Sequence, residues 1–250
     1  MKLSGVVIAK NEEKNIKDCL ECLRFCEEVV LVDSGSTDQT VSIANGLGAK
    51  VFLKEFKDFA SQKNYGIERA NGDWVLLLDA DERLSPSLAD EIQRTLANPK
   101  VAGYYLLRKN RLLGRWMYFG ENRRDYQLRL VLRPKALFQG LVHERVYLSE
   151  KTARLKEPLL HYSTDRISEY MKKLNTYAFL EAETLRREGR PVDLGQMKRR
   201  PLFLFFRLVF IKAAVLDGME GVLFSILSAY YEFIRLAKQW ELNLKNGAKT

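Results

Sequence analysis

Gly72-Asp73-Trp74-Val75-Leu76-Leu77-Leu78-Asp79-Ala80-Asp81-Glu82 is the stretch around which the rest of the chain can be arranged. Val75 to Leu78 is a short, continuous apolar run bounded by polar residues. That pattern fits a strand buried on both faces in the middle of a parallel sheet. Asp79 and Asp81 follow at its end. Residues two apart in an extended segment point to the same side, and parallel sheets receive ligands beyond the C-terminal ends of their strands. Two carboxylates held together repel each other unless a cation sits nearby. The simplest such cation is a hard divalent metal, which also binds phosphate. Taken alone, an Asp-x-Asp tripeptide is more often a solvated acidic turn. The buried strand before it and the pattern on its N-terminal side favour the cation site.

That N-terminal pattern alternates. Residues 4–9 read as a strand, and Ile16, Cys19, Leu20 and Leu23 fall on one face of a helix. Residues 29–32 form a second buried strand, ending in Asp33-Ser34-Gly35-Ser36-Thr37-Asp38. Small, turn-forming residues there let a ligand approach the backbone closely. Asp38 is placed to N-cap a helix with Val41, Ala44 and Leu47 inward. A third strand spans residues 50–53, and a helix over 59–70 carries Gln62, Lys63 and Asn64. Alternating strands and helices imply an α/β fold with a parallel, Rossmann-like sheet flanked by helices.

Beyond Asp81 the pattern changes. Residues 86–97 read as a helix, and strands at 102–107 and 128–132 flank an irregular segment, 114–124, holding Trp116, Tyr118, Phe119 and several arginines. A loop of that length with aromatic residues suggests function. From about residue 165 the chain is helical, over 167–188, 201–216 and 222–240, the last with a polar stripe of Ser225, Ser228, Glu232, Arg235 and Gln239. The expected division is a catalytic domain at 1–164 and a C-terminal helical appendage at 165–250. Neither apolar stretch in the appendage reaches the roughly twenty uninterrupted residues of a spanning helix. Lys198-Arg199-Arg200 just ahead of Phe203, Phe205 and Phe206 fits a helix lying in a membrane surface. The alternative is packing on the catalytic domain or a homo-oligomer contact.

The bulk numbers narrow the partners. With 250 residues, 46% of them hydrophobic, the chain can bury a sizeable core and is not globally disordered. A formal net charge of +9 favours nucleic acid, anionic lipid or phosphorylated substrates. No helix-turn-helix, zinc-finger or RNA-binding signature is present. A non-enzymatic basic membrane- or nucleic-acid-binding module would leave Asp79 and Asp81 without a role, so no nucleic-acid partner is expected. Met1-Lys2-Leu3-Ser4 runs straight into a strand pattern, which reads as the absence of a signal peptide. Cys19, Cys22 and Cys26 lack the second pair that a zinc site needs and are expected to be reduced thiols of a cytosolic chain.

Residues 8–13 (Ile-Ala-Lys-Asn-Glu-Glu), 32–38, 59–64 and 72–82, in this order and spacing, resemble the family 2 glycosyltransferases with the GT-A fold. Within that family the chain is similar to the bacterial lipopolysaccharide inner-core β-1,4-glucosyltransferases. The likeness is carried by Gln127-Leu128-Arg129-Leu130, Val142-His143-Glu144, Leu216-Asp217-Gly218-Met219-Glu220-Gly221 and Ser228-Ala229-Tyr230-Tyr231. The resemblance implies transfer of a hexose, glucose by this likeness, from a UDP-sugar with inversion at the anomeric carbon. The acceptor would be a lipid-linked glycan at the inner face of the cytoplasmic membrane. A peptide, an exopolysaccharide carrier lipid or a polymer is the alternative acceptor. Asn11, Glu12, Asp33 and Asp38 would line the uridine and ribose pocket, Lys63 and Asp79 would lie at the donor, and Asp79 and Asp81 would hold Mg2+ or Mn2+ on the diphosphate. His143 or His161 could add a metal ligand, contact the diphosphate or be structural; His143 is the one taken into the expected metal set.

The general base must face the sugar from the side opposite the leaving group, so it comes from chain beyond the metal triplet. Asp125 and Glu144 are the candidates, each of which could also be in an ordinary ion pair. Asp125 is preferred because it stands roughly where the family carries its Glu-Asp base motif, here with Arg124 in place of the Glu. Arg123, Arg124 and Arg129 could grip phosphates.

Overall fold

A computed structural model describes residues 1–139, 145, 146, 148, 150–163 and 166–245. They fall into two compact units, Met1–Lys109 with Arg124–Tyr162, and Asn110–Arg123 with the chain from Ser163 onward. The segment 110–123, which the sequence groups with the catalytic domain, thus belongs with the helices.

The chain order is β1 (Leu3–Ala9), α1 (Ile16–Glu21), β2 (Glu28–Asp33), α2 (Thr40–Gly46), β3 (Lys50–Leu53), α3 (Phe59–Arg69), β4 (Trp74–Asp79), β5 (Glu82–Leu84), α4 (Pro86–Ala97) and β6 (Gly103–Leu112). After β7 (Arg115–Trp116) come β8 (Tyr126–Leu132), β9 (Phe138–Gln139), β10 (Arg145–Val146) and β11 (Thr152–Tyr162). Among the described residues one sheet runs β3-β2-β1-β4-β8-β6-β11-β5, with β7 paired to the end of β6. β3, β2, β1 and β4 are parallel, whereas β8 meets β4 antiparallel and β5 meets β11 antiparallel. This is a mixed α/β sheet, parallel from β3 to β4 and antiparallel from β4 through β8 to β6.

β4 is central because both of its faces are covered. Trp74, Leu76 and Leu78 join one core with Ile16 and Leu20 of α1 and Leu88 and Ile92 of α4. Val75 and Leu77 join the other with Ala60 and Ile67 of α3. A fully buried leucine contributes roughly 1.5–3 kcal/mol, so a run of them leaves little freedom in where β4 lies. α3 sits close to the sheet because Gly66 has no side chain: a Cβ there would stand 2.5 Å from Val6 Cγ1. The parallel register sets Ile8 beside Asp79 and Ala9 beside Asp33, which gathers the polar strand ends on one edge.

Three local readings need correction. Gln39, not Asp38, is the N-cap of α2, and Thr40 and Ala44 are its buried positions. The Asp38 carboxylate instead accepts the N–H groups of Thr40 (3.0 Å) and Glu13 (3.1 Å), fastening the loop after β1 to the loop after β2. β5 and β11 are additional strands, and β11 tolerates Pro158 within its length.

The second unit contains α5 (Ile167–Arg187), α6 (Leu194–Phe206) and α7 (Met219–Lys245), with a π turn at Arg207–Ile211 and a 3-10 turn at Ala214–Asp217. α6 begins well before Pro201, which lies inside it. Asp193 caps it, accepting the Gln196 N–H at 2.7 Å, and Asp193-x-x-Gln196 has capping-box spacing. α7 turns its polar stripe inward: Ser225, Arg235 and Gln239 are all buried. Arg235 pairs with Glu232 at 2.7 Å and lies 3.6 Å from Glu181 of α5, while Gln239 donates to the Arg190 carbonyl at 2.7 Å.

Candidate active site

Asp79 ends β4 with each carboxylate oxygen facing a different cation. Lys63 Nζ of α3 lies 3.2 Å from Oδ1, and Arg129 Nη2 of β8 lies 2.6 Å from Oδ2. Burial works against the charge on Asp79. Arg129 first, then Lys63 and Arg108, outweigh that burial and hold the carboxyl far below the usual carboxylate range. Both cations are almost wholly buried, Lys63 with its ammonium also over the Phe138 ring.

The row of charges continues across the sheet. Arg129 Nη2 also donates to Glu82 Oε1 at 2.7 Å, and Glu82 lies 3.7 Å from Arg108 Nη1. Arg108 Nε donates in turn to Asp125 Oδ2 at 2.8 Å. Glu82 is fully buried, and its second oxygen accepts the Asp79 N–H at 3.0 Å. The result is an alternating ladder, Lys63-Asp79-Arg129-Glu82-Arg108-Asp125, in which each charge is flanked by the opposite sign. Arg129, one of three arginines that could grip phosphate, is buried and pairs with Asp79 and Glu82. Gln127 Nε2 donates to the other Asp125 oxygen at 2.6 Å, so Asp125 is held from two sides.

Asp81 stands apart from this ladder. Its Oδ2 lies 3.4 Å from His161 Nε2 of β11, and its carbonyl accepts the Tyr162 N–H at 2.8 Å. Both side chains are mostly buried but reach solvent. Among the described residues no three His, Cys, Asp or Glu side chains close around one point. His143 and Glu144, expected as a metal ligand and a candidate base, lie outside the described residues.

The remaining expected donor residues are interlocked on the same edge. Asn11, with φ of 55°, receives the Thr37 N–H on Oδ1 at 2.8 Å, and its own N–H donates to Ser36 Oγ at 2.8 Å. The Glu12 N–H donates to Thr40 Oγ1 at 2.8 Å. Asp33 is buried and accepts the N–H groups of Gly35 (2.9 Å) and Ser36 (2.8 Å). Its carboxylate shapes the loop, leaving backbone and neighbouring side chains to face outward. The cysteines support the edge from beneath. Cys19 Sγ donates to the Asp79 carbonyl at 3.7 Å, and Cys22 Sγ accepts the Leu84 N–H at 3.3 Å. All three thiols are free, and burial pushes each of them up, away from thiolate chemistry.

Glu82 and Arg108 are the residues that sequence reading missed. Their signal is only a charge inside a strand, which becomes informative once β5, β6 and β8 are known to be neighbours. A shallow groove of about 620 Å³ lies elsewhere, between α4 and β11, and none of the residues above lines it.

In the second unit the segment 114–123 is held in place. Asp217 is buried and accepts the N–H groups of Tyr118 (3.0 Å) and Phe119 (2.8 Å), and Glu220 pairs with Arg115 at 3.2 Å. Gly221 is required beside them, because a Cβ there would fall 1.9 Å from the Ala214 carbonyl oxygen.

Residues 4–158, which include the edge carrying Asp33 and Asp79, match the family described as Glycosyl transferase family 2. The chain belongs to that family. This glycosyltransferase is 31% identical to an uncharacterized glycosyltransferase, RT0209, of Rickettsia typhi, over 98% of this chain and 89% of the relative. It is 29% identical to the lipopolysaccharide core biosynthesis glycosyltransferase LpsC of Rhizobium meliloti, over 96% of this chain and 93% of LpsC. Among solved structures it is similar to glucosyl-3-phosphoglycerate synthase from Mycobacterium tuberculosis, in complex with Mn2+, UDP and glucosyl-3-phosphoglycerate. That match has a TM-score of 0.50 and 17% identity, and covers 78% of this chain and 82% of the other. At that identity the likeness shows the fold alone, and the fold is GT-A.

Proposed function

We propose that this glycosyltransferase moves a hexose, glucose, from a UDP-sugar to a lipid-linked glycan of the lipopolysaccharide inner-core type. Transfer inverts the anomeric carbon and takes place at the inner face of the cytoplasmic membrane. The reading rests chiefly on the Asp81–His161 pair beside the clamped Asp79 at the C-terminal end of β4. The family likeness and the name of the LpsC relative support the acceptor class.

A divalent cation fits this site. Asp81 and His161 offer two donors on neighbouring strand ends, and Mg2+ or Mn2+ ordinarily takes few protein ligands and fills the rest with phosphate and water. Such an ion, when bound, would offset the charge that builds on the leaving diphosphate. Asp79 would serve the donor differently. With its charge fixed by Lys63 and Arg129, its outer edge can accept hydrogen bonds from sugar hydroxyls but has little call for a further cation. Asn11, Glu12, Asp33 and Asp38 would shape the uridine and ribose pocket through the loop they hold in place.

Asp125 would be the base. Arg108 and Gln127 fix its orientation, and a carboxylate oxygen so held can take the proton of the acceptor hydroxyl as the hydroxyl oxygen attacks the anomeric carbon and the bond to the departing nucleoside diphosphate breaks. A positioned base of this kind contributes roughly a hundredfold to ten-thousandfold.

Calorimetric titration with UDP and UDP-glucose, with and without Mn2+, tests the donor half. Wild type is expected to bind more tightly with metal, and Asp81→Asn to lose that gain. Equal binding with and without metal, unaltered by Asp81→Asn, would refute the site. For the base, Asp125→Asn should keep donor binding and lose transfer. A screen of acceptors with labelled donor separates a lipid-linked glycan from a peptide or polymer.

A further inference from the structure

The second unit shows apolar side chains to the outside on two separate stretches. Between residues 202 and 219, Phe203, Phe206, Phe210, Ile211, Leu216 and Met219 are all more than half exposed. The opposite side of the same stretch is also apolar, with Leu208, Val209 and Ala214 buried. A helical segment facing water on one side carries mostly polar residues there; here bulky apolar side chains predominate, with Arg207 and Lys212 among them. Phe206 and Phe210 stack on each other at 6.0 Å between centroids, making a firm aromatic surface. α7 repeats the inversion, with Ser225, Arg235 and Gln239 buried while Ile226, Tyr230 and Phe233 are exposed.

The exposed charge along this stretch is mainly basic: Arg200 is paired with Glu232 at 3.0 Å and Arg207 with Glu121 at 3.1 Å, and Asp217 is buried. From Leu194 to Leu216 the charged residues are Lys198, Arg199, Arg200, Arg207 and Lys212, with no Asp or Glu. Lys198, Arg199 and Lys212 are exposed. A symmetric contact with a second copy would set this basic cluster against itself. Anionic lipid headgroups complement it, with acyl chains beneath them to receive the aromatic and aliphatic side chains. Among the described residues no helix is long and apolar enough to cross a membrane, so the segment would lie in the surface plane.

We propose that residues 198–219 form an in-plane anchor for anionic lipid bilayers, with Phe203, Phe206, Phe210 and Ile211 entering the acyl boundary and Lys198, Arg199 and Lys212 meeting the headgroups. The proposal deepens the function above by naming the surface through which the enzyme meets a membrane, and rests on that reading only for the acceptor.

Flotation of the full chain with vesicles tests it. Vesicles of phosphatidylcholine with phosphatidylglycerol should carry the protein, and pure phosphatidylcholine vesicles should carry much less. F206S with F210S, and separately K198E with R199E, should each lower partitioning by about tenfold or more. UDP titration should be unchanged in both variants, since none of these residues belongs to the donor site, and helix content by circular dichroism should match wild type. No binding to anionic vesicles, or binding unaffected by either pair, overturns the anchor. So does a dimer in sedimentation that F206S with F210S dissociates, because the face would then belong to a second copy. Vesicle binding without UDP binding would uphold the anchor and count against the proposed reaction instead.

Discussion

The first unit covers both faces of β4 with apolar side chains and lines up buried charge in a ladder from Lys63 to Asp125, whereas the second unit buries the polar stripe of α7 and leaves Ile226, Tyr230 and Phe233 outside. In the first, desolvation of each charge is offset by an opposite neighbour, and the product is a rigid set of charges beside the strand ends. In the second, buried polar groups tie α7 to its neighbours through Glu181 and the Arg190 carbonyl, so apolar area is displaced to the surface. Where polarity is buried thus indicates what each unit meets. A charged ladder inside points to a polar ligand at its end, and a polar stripe inside points to an apolar partner opposite.

The largest effect should separate the two aspartates at the end of β4. Asp81→Asn should lower transfer by more than about a thousandfold, the scale of several kcal/mol of lost charge stabilisation, with thermal stability near wild type. Asp79→Asn should lower transfer too, but it also strips Lys63 and Arg129 of a shared counter-ion and should cost about 3 kcal/mol of stability. Denaturant melts of both variants beside turnover assays would show this. Equal stabilities would mean that the ladder does not depend on Asp79.

Glu82 carries the same contrast further. It touches no expected ligand, yet Glu82→Leu would leave Arg129 and Arg108 facing each other across an apolar side chain. A loss of about 3–5 kcal/mol is expected, measured by urea unfolding. Wild-type stability in that variant would break the claim that the first unit depends on the ladder. In the second unit, Asp217→Ala should cost about 2 kcal/mol by abandoning the Tyr118 and Phe119 N–H groups, with faster hydrogen exchange at those two amides as its signature.

β4 was legible because burial on both faces leaves a continuous apolar run, and α4 because Pro86 marks its first turn and Asn98-Pro99 its end. The acidic strand ends were legible as a consequence, since the parallel register puts Asp33 and Asp79 on one edge. β11 was not, because its alternation is broken by charges and Pro158, and without it His161 could not be placed opposite Asp81. β5 is only three residues long, and the burial of Glu82 and Arg83 depends on partners far along the chain. The inward turn of the α7 stripe was hidden for a related reason. A helical period shows that one face is polar, but only packing decides that the face points inside.

The smallest effect concerns a polar group of the first unit outside the ladder. Glu28 lies half-buried, bonded to Lys50 Nζ at 2.6 Å, to Ser4 Oγ at 2.7 Å and to the Asn71 side chain at 3.0 Å. Burial opposes its charge, but Lys50, Asn71 and Ser4 outweigh that and lower its pKa from 4.5 to about 2. Because the folded value is depressed, the stability that Glu28 contributes is complete above about pH 4.5 and is lost as the pH falls toward 2. Asp79 is depressed further still, so the ladder should outlast Glu28 on acidification. Glu28→Gln should therefore be less stable than wild type by about 1–2 kcal/mol at neutral pH, allowing for partial exposure, and the gap should narrow steadily below pH 4.5. Urea melts at a series of pH values decide it. A gap that stays constant down to acid would show that neutral hydrogen bonds, not the carboxylate charge, join β1, β2 and β3 at that end.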